Sequence, residues 1–232
     1  MSKENNIKEK FKIALISTEK AISDDLFQIN QKKNNIKKDL DYFEIESLNS
    51  KEEFIKYRAQ SDSRALLKKF SDKNILKLNY PKNMACRTLY EFSEKVRCEL
   101  LGSDMLKGIK LNFLESYKNT LSKIKINHIK NKEDVKISEA FELYMLKNFF
   151  NIKLNNFSEK ILSFWENDFK SNLDKHLEFL SNNLENQEIY NSKFSKILQE
   201  MKIFESDNDD EDQNKKNENE QDNNPNKENE HE

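Results

Sequence analysis

Glycine is almost missing from this chain: its 232 residues contain two, Gly102 and Gly108, and only two prolines. A sheet of many strands needs a turn at the end of each, and glycine and proline supply much of that geometry, so their scarcity argues for helices. Cysteine is equally rare. Cys86 and Cys98 fall on one predicted helix, about 18 Å apart along its axis at 1.5 Å per residue, too far for a mutual disulfide. Reduced thiols of this kind belong to the cytoplasm, which is the expected location. No apolar run reaches the roughly 20 residues of a membrane span. The N-terminus, Met1 to Asn6, leads into mixed charge instead of a leader peptide. Histidine is limited to His128, His176 and His231, without the paired spacing of a zinc helix, and two cysteines do not complete a zinc knot. Gly102 and Gly108 enclose five residues and run into Ile109-Lys110, so the phosphate loop with its Gly-Lys-Ser/Thr ending is absent as well. No catalytic constellation is evident.

Charge and phenylalanine are what the chain has in quantity. Charged and hydrophobic residues each make up 35%, and mean hydropathy is -0.97; with 16 phenylalanines there is apolar bulk for one core. Residues 205–232 hold 12 acidic and 3 basic side chains, so they carry -9 of a formal net charge of -2 and leave +7 on the body. That segment contains no aliphatic or aromatic residue and cannot bury enough surface to order itself. The expected organisation is a helical domain over 1–204 followed by a disordered acidic tail or linker over 205–232. Lysines of the body alternate with acids and asparagines instead of gathering with aromatics in a stripe, so neither nucleic acid nor membrane is expected as a partner.

Apolar spacing predicts a mainly α, multi-helix domain. Helices are expected over 8–23 (Phe11, Ala14, Leu15, Thr18 and Ile22 on one face), 51–70, 85–101, 137–150, 157–184 and 190–204. In the fifth, Ile161, Phe164, Trp165, Phe169, Leu173, Leu177 and Leu180 form the stripe, and Trp165 reads as core. Residues 26–48 alternate imperfectly and read as a small β-hairpin or as irregular chain.

Most candidate functional residues lie in 85–112. Ala85, Leu89, Phe92, Val96 and Leu100 make one apolar stripe, while Arg87, Glu91, Glu94 and Cys98 fall opposite and read as a solvated face. Charge pairs on such a face contribute about 0.2–0.5 kcal/mol each. Arg97 and Glu99 flank the stripe, where a charged head can reach past the seam toward a neighbour. After Gly108, Ile109, Phe113, Tyr117 and Leu121 restart the period, giving a helical hairpin with both glycines in its turn. There a glycine supplies a left-handed residue or a close helix approach. Arg58 and Asp62, four apart, read as a surface ion pair.

These blocks resemble the N-terminal region of the T subunit of aerobic cobaltochelatase, the CobT family. Its members show Arg-Gly-x-Ala-Asp-x-x-Ala-Leu, a His-Asp pair, and a helix end Glu-x-x-Arg-x-Glu-x-x-Gly-Ser. The stretch Arg58 to Leu66 is similar to the first block, keeping Arg58, Asp62, Ala65 and Leu66 but replacing its Gly and Ala. Ser71-Asp72 stands in place of the His-Asp pair, Leu76 where a further histidine is usual, and Pro81 is in register. Glu94, Arg97, Glu99, Gly102 and Ser103 match the helix end, followed in register by Gly108 and Asn112. A late tryptophan, Trp165, and the acidic run after Phe204 are similar too.

The resemblance implies a part in cobalamin biosynthesis: a non-ATPase subunit of the assembly that inserts Co2+ into hydrogenobyrinic acid a,c-diamide at the expense of ATP. It implies as partners an AAA+ ATPase subunit and a large porphyrinoid-binding subunit. The complex is expected to use ATP, Mg2+ and Co2+, with no cofactor held by this chain, and the lost histidines weaken any metal role here. Family members continue past the linker into a von Willebrand type A domain carrying Asp-x-Ser-x-Ser, a motif this sequence lacks. On this reading Arg58, Asp62, Arg87, Glu94, Arg97 and Glu99 are inter-helix or interface ion pairs that fix the hairpin. A stand-alone helical interaction module with an acidic recruiting tail is the other reading of the same residues.

Overall fold

The computed structural model describes residues 3–24, 45–124 and 129–201. They fold as α1 (Lys3–Ile22), α2 (Lys51–Phe70), α3 (Lys73–Leu78), α4 (Met84–Met105), α5 (Lys107–Lys123), α6 (Ile137–Phe149), α7 (Asn156–Ser163), α8 (Glu166–Leu173), α9 (Leu177–Asn182) and α10 (Gln187–Glu200). Among the described residues there is no strand, and the fold is mainly α. The hairpin expected over 26–48 falls largely on residues outside the described set, as does the acidic segment 205–232; residues 45–49 are irregular.

Side-chain caps fix several helix starts. Ser50 accepts from the Glu53 N–H at 3.2 Å, while the Glu53 carboxylate takes the Ser50 N–H at 3.2 Å. This reciprocal capping box satisfies amides that the first turn leaves open. Asp72 accepts from Asn74 at 2.7 Å and opens α3; Asn83 accepts from Ala85 at 2.8 Å and opens α4. At the end of α6, Asn151 holds a left-handed φ of 53°, a conformation asparagine tolerates. The Ile152 N–H can then reach back to the Leu146 carbonyl at 3.2 Å.

The α4–α5 hairpin forms, but its glycines are not in the turn. The chain reverses through Leu106, at φ -137° and ψ 111°, and neither glycine has a positive φ. An extended residue suffices there, so no left-handed one is required. Gly102 lies in the last turn of α4 and faces α2. A Cβ there would stand 2.9 Å from Cγ of Leu66 and nearer still to its methyl groups, so close helix approach is its role.

α4 is the central rod, contacted by α2, α5, α6 and α10. Around it the main core includes Leu66, Leu89, Tyr90, Val96, Phe113, Phe141, Phe169, Tyr190 and Phe194. Phe141 meets Phe169 and Phe194 edge-to-face at 5.6 and 6.1 Å, a favoured aromatic geometry. A second, small cluster of Leu15, Ile16, Ile45 and Tyr57 joins α1 to α2. The stretch 157–184 is three short helices instead of one, broken at Trp165 and by a 3-10 turn at Asp174–His176. Trp165, Phe169, Leu173 and Leu177 recur in steps of four, which drift about 40° per step around a straight helix at 100° per residue. The chain bends to keep them on one core. Trp165 is half-buried at the core's edge, its indole N–H donating to the Val135 carbonyl at 3.3 Å.

Candidate functional site

Three polar groups are buried between α2, α4, α5 and the chain leading to α10. The first centres on Arg97, whose side chain is 1% exposed. Its Nε and Nη2 donate to the two Glu94 carboxylate oxygens, both at 2.8 Å, in bidentate fashion. Nη1 donates to the Leu184 carbonyl at 2.7 Å and Nη2 to the Phe70 carbonyl at 2.6 Å. Phe70 is the last residue of α2, where helix carbonyls lack intrahelical partners and carry partial negative charge. One guanidinium thus joins α4 to the end of α2 and to the segment before α10, with the Tyr190 ring 6.0 Å away. Cys98 lies beside Glu94 at 3.8 Å, and burial pushes its thiol well above its ordinary range, with the Glu94 charge adding to the shift.

The second group is Glu99, buried on the other side of α4. It accepts from the Ser63 hydroxyl of α2 at 2.7 Å and from the Tyr117 hydroxyl of α5, and Lys95 Nζ stands 3.8 Å away. Burial raises its pKa above the ordinary 4.5, against the pull of Lys95, Ser63 and Tyr117. The third is Asp62 on α2, also fully buried. It takes Arg58 Nε at 3.1 Å and the Asn112 amide of α5 at 2.8 Å; burial raises its pKa too, opposed first by Asn112 and then by Arg58.

Beside Glu99 a groove of about 390 Å³ opens between α2, α4 and α5, lined in part by Gln60, Arg64, Lys95, Phe113 and Tyr117. Among the described residues no three or more His, Cys, Asp and Glu side chains stand where they could hold a metal ion. No described helix is long and apolar enough to cross a membrane.

The sequence-level candidates are therefore distributed over one hairpin and the helix beneath it. Glu94 and Cys98, expected on a solvated face, are buried because α10 covers that side of α4. Asp62, expected at the surface, is buried, while Arg58 is 38% exposed. Arg87 stays near the surface, donating to the Pro81 carbonyl at 2.8 Å and stacking over Tyr80. The Arg97–Glu94 and Arg58–Asp62 ion pairs each lie within one helix; the links between helices are hydrogen bonds to carbonyls, hydroxyls and an amide. Ser63, Lys95 and Tyr117 carry no local signal that marks them as partners of Glu99. Periodicity marks Tyr117 only as apolar, although its hydroxyl has to find a partner when buried.

A model of the family described as "Cobalamin biosynthesis protein CobT" matches residues 5–232. Neither the curated proteins nor the solved structures contain a match. With the match running through the described helices and on through the acidic segment, the chain belongs to the CobT family and takes part in cobalamin biosynthesis.

Proposed function

We propose that this chain is the non-ATPase, helical part of an ATP-dependent aerobic cobaltochelatase, which inserts Co2+ into hydrogenobyrinic acid a,c-diamide. The observation that carries the reading is the family match across residues 5–232. Co2+ and the macrocycle are substrates of the assembly; ATP and Mg2+ belong to an AAA+ partner, and the macrocycle to a large porphyrinoid-binding subunit. This chain contributes no reacting group and acts by holding partners in place, in the cytoplasm.

The buried polar seam suits such a role. Arg97 ties α4 to the carbonyls of Phe70 and Leu184, and Glu99 ties it to Ser63 and Tyr117. Unsatisfied buried polar groups are costly, so these contacts hold the helices in a single register. A load applied by the ATPase to one helix is then passed to the next with little local give.

The test is to mix the purified chain with the cobaltochelatase AAA+ subunit of the same genome, ATP and Mg2+, and to measure mass by light scattering coupled to size exclusion. A discrete heteromeric peak is expected. Separate elution of two folded proteins at micromolar concentration would overturn the reading.

A further inference from the structure

The two glycines serve different ends. Leu66 occupies the space beside Gly102, but a Cβ on Gly108 would meet nothing within 4 Å. Gly108 has no positive φ and lies in the first turn of α5, so neither backbone conformation nor packing inside the fold calls for a glycine there, and helices disfavour it. Around it the surface is apolar: Met105 is 43% exposed, Leu106 45% and Leu111 65%. At 100° per residue, Lys107, Leu111 and Lys118 fall within about 40° of one another on α5, with Lys110 about 60° to one side. These three lysines make no ion pair with any described residue, whereas Glu115 on the same face is held by Lys51 at 3.2 Å. Among residues 104–111, Asp104 is the one acid.

We propose that this α4–α5 corner is the docking surface for an acidic amphipathic helix of the ATPase subunit, a reading that rests on the proposed function. The partner's apolar stripe covers Met105, Leu106 and Leu111, its carboxylates meet Lys107 and Lys118, and its backbone comes close over Gly108. How near two helices approach is set by the side chains at the contact, and glycine allows the shortest distance. Two other occupants fit worse. The chain's own segment 205–232 supplies acids but no aliphatic or aromatic side chain, so it leaves the apolar patch uncovered. A second copy brings the same lysines face to face, which like-charge repulsion disfavours.

The experiment compares full-length wild type with Gly108→Gln, Leu111→Glu and, as a control at another exposed apolar position, Leu78→Glu, each titrated with the ATPase subunit and followed by thermal melting. Gly108→Gln is expected to melt no lower than wild type and to weaken binding at least tenfold. Leu111→Glu should weaken it similarly, and Leu78→Glu should leave it unchanged. Wild-type binding with Gly108→Gln and Leu111→Glu equally tight overturns the docking site and leaves the functional reading standing. Loss of a self-association in these variants, with ATPase binding intact, overturns the choice of occupant. If wild type itself does not bind the ATPase subunit, the functional reading fails and the corner loses its occupant.

Discussion

Arg97 shows how much one side chain carries in this fold. Removing it leaves Glu94 buried without a counter-charge and two carbonyls, of Phe70 and Leu184, without donors. Breaking a buried pair from one side costs about 3–5 kcal/mol, so Arg97→Ala is expected to lower the urea midpoint by that equivalent. Arg97→Met combined with Glu94→Leu should recover much of it, because no lone charge remains. Glu99 predicts a pH dependence. Its folded pKa lies above the ordinary 4.5 because of burial, so the folded chain holds that proton more tightly than the unfolded chain. Its stabilising contribution is full below about pH 4.5 and is lost as pH rises through the folded pKa. The wild type should therefore lose stability relative to Glu99→Gln as pH rises from 4.5 toward neutrality. Paired urea titrations across pH isolate this carboxyl from Asp62, whose pKa is raised in the same direction, and from Glu142, which interacts with both Lys95 and Glu99. Gly102→Ala overpacks against the buried Leu66 and is expected to cost about 1–3 kcal/mol.

At the scale of elements, legibility followed the local signals. Lys51–Phe70 matches the expected 51–70, its start fixed by the Ser50–Glu53 capping box, whereas the short helix Lys73–Leu78 that Asp72 opens is not among the expected ones. Ile137–Phe149 is readable to one residue from its periodicity, but periodicity carries no trace of what ends it, the left-handed Asn151. That position makes a prediction: Asn151→Gly should leave stability nearly unchanged, whereas Asn151→Val, a β-branched residue forced to positive φ, should lower it by about 1–2 kcal/mol in a urea melt. The bend within 157–184 was illegible because a stripe with steps of four looks helical throughout, and only the neighbouring core decides where it must break. Glu94 and Cys98 were misplaced for a related reason. A single stripe implies one buried face, but α4 is surrounded by α2, α5, α6 and α10, and nothing local to residues 85–105 announces α10.

Over the whole molecule, attachment to α4 is uneven. α1 reaches the rest through the small cluster, through Ile22 at the main core, through hydrogen bonds from Ser61 to the Leu15 carbonyl at 3.3 Å and from Lys8 to the Glu46 carbonyl at 3.1 Å, and through ion pairs of Glu19 with Lys68 and Arg64 and of Asp24 with Lys69. Partly exposed ion pairs are screened by salt. Raising ionic strength should therefore speed amide exchange in α1 selectively while α4 stays protected, as read by hydrogen–deuterium exchange. The sequence conveyed the architecture at this scale, a mainly α body, but not which helix sits at its centre, since that depends on contacts between residues as far apart as Cys86 and Leu198. Trp165 adds an optical consequence. It is the sole tryptophan, fixed at the bend between α7 and α8 with Lys132 Nζ 4.0 Å from its ring. Indole fluorescence consequently reports one corner of the protein: an emission-monitored melt follows the α7–α8 bend and is blind to the release of α1, which circular dichroism registers as lost ellipticity.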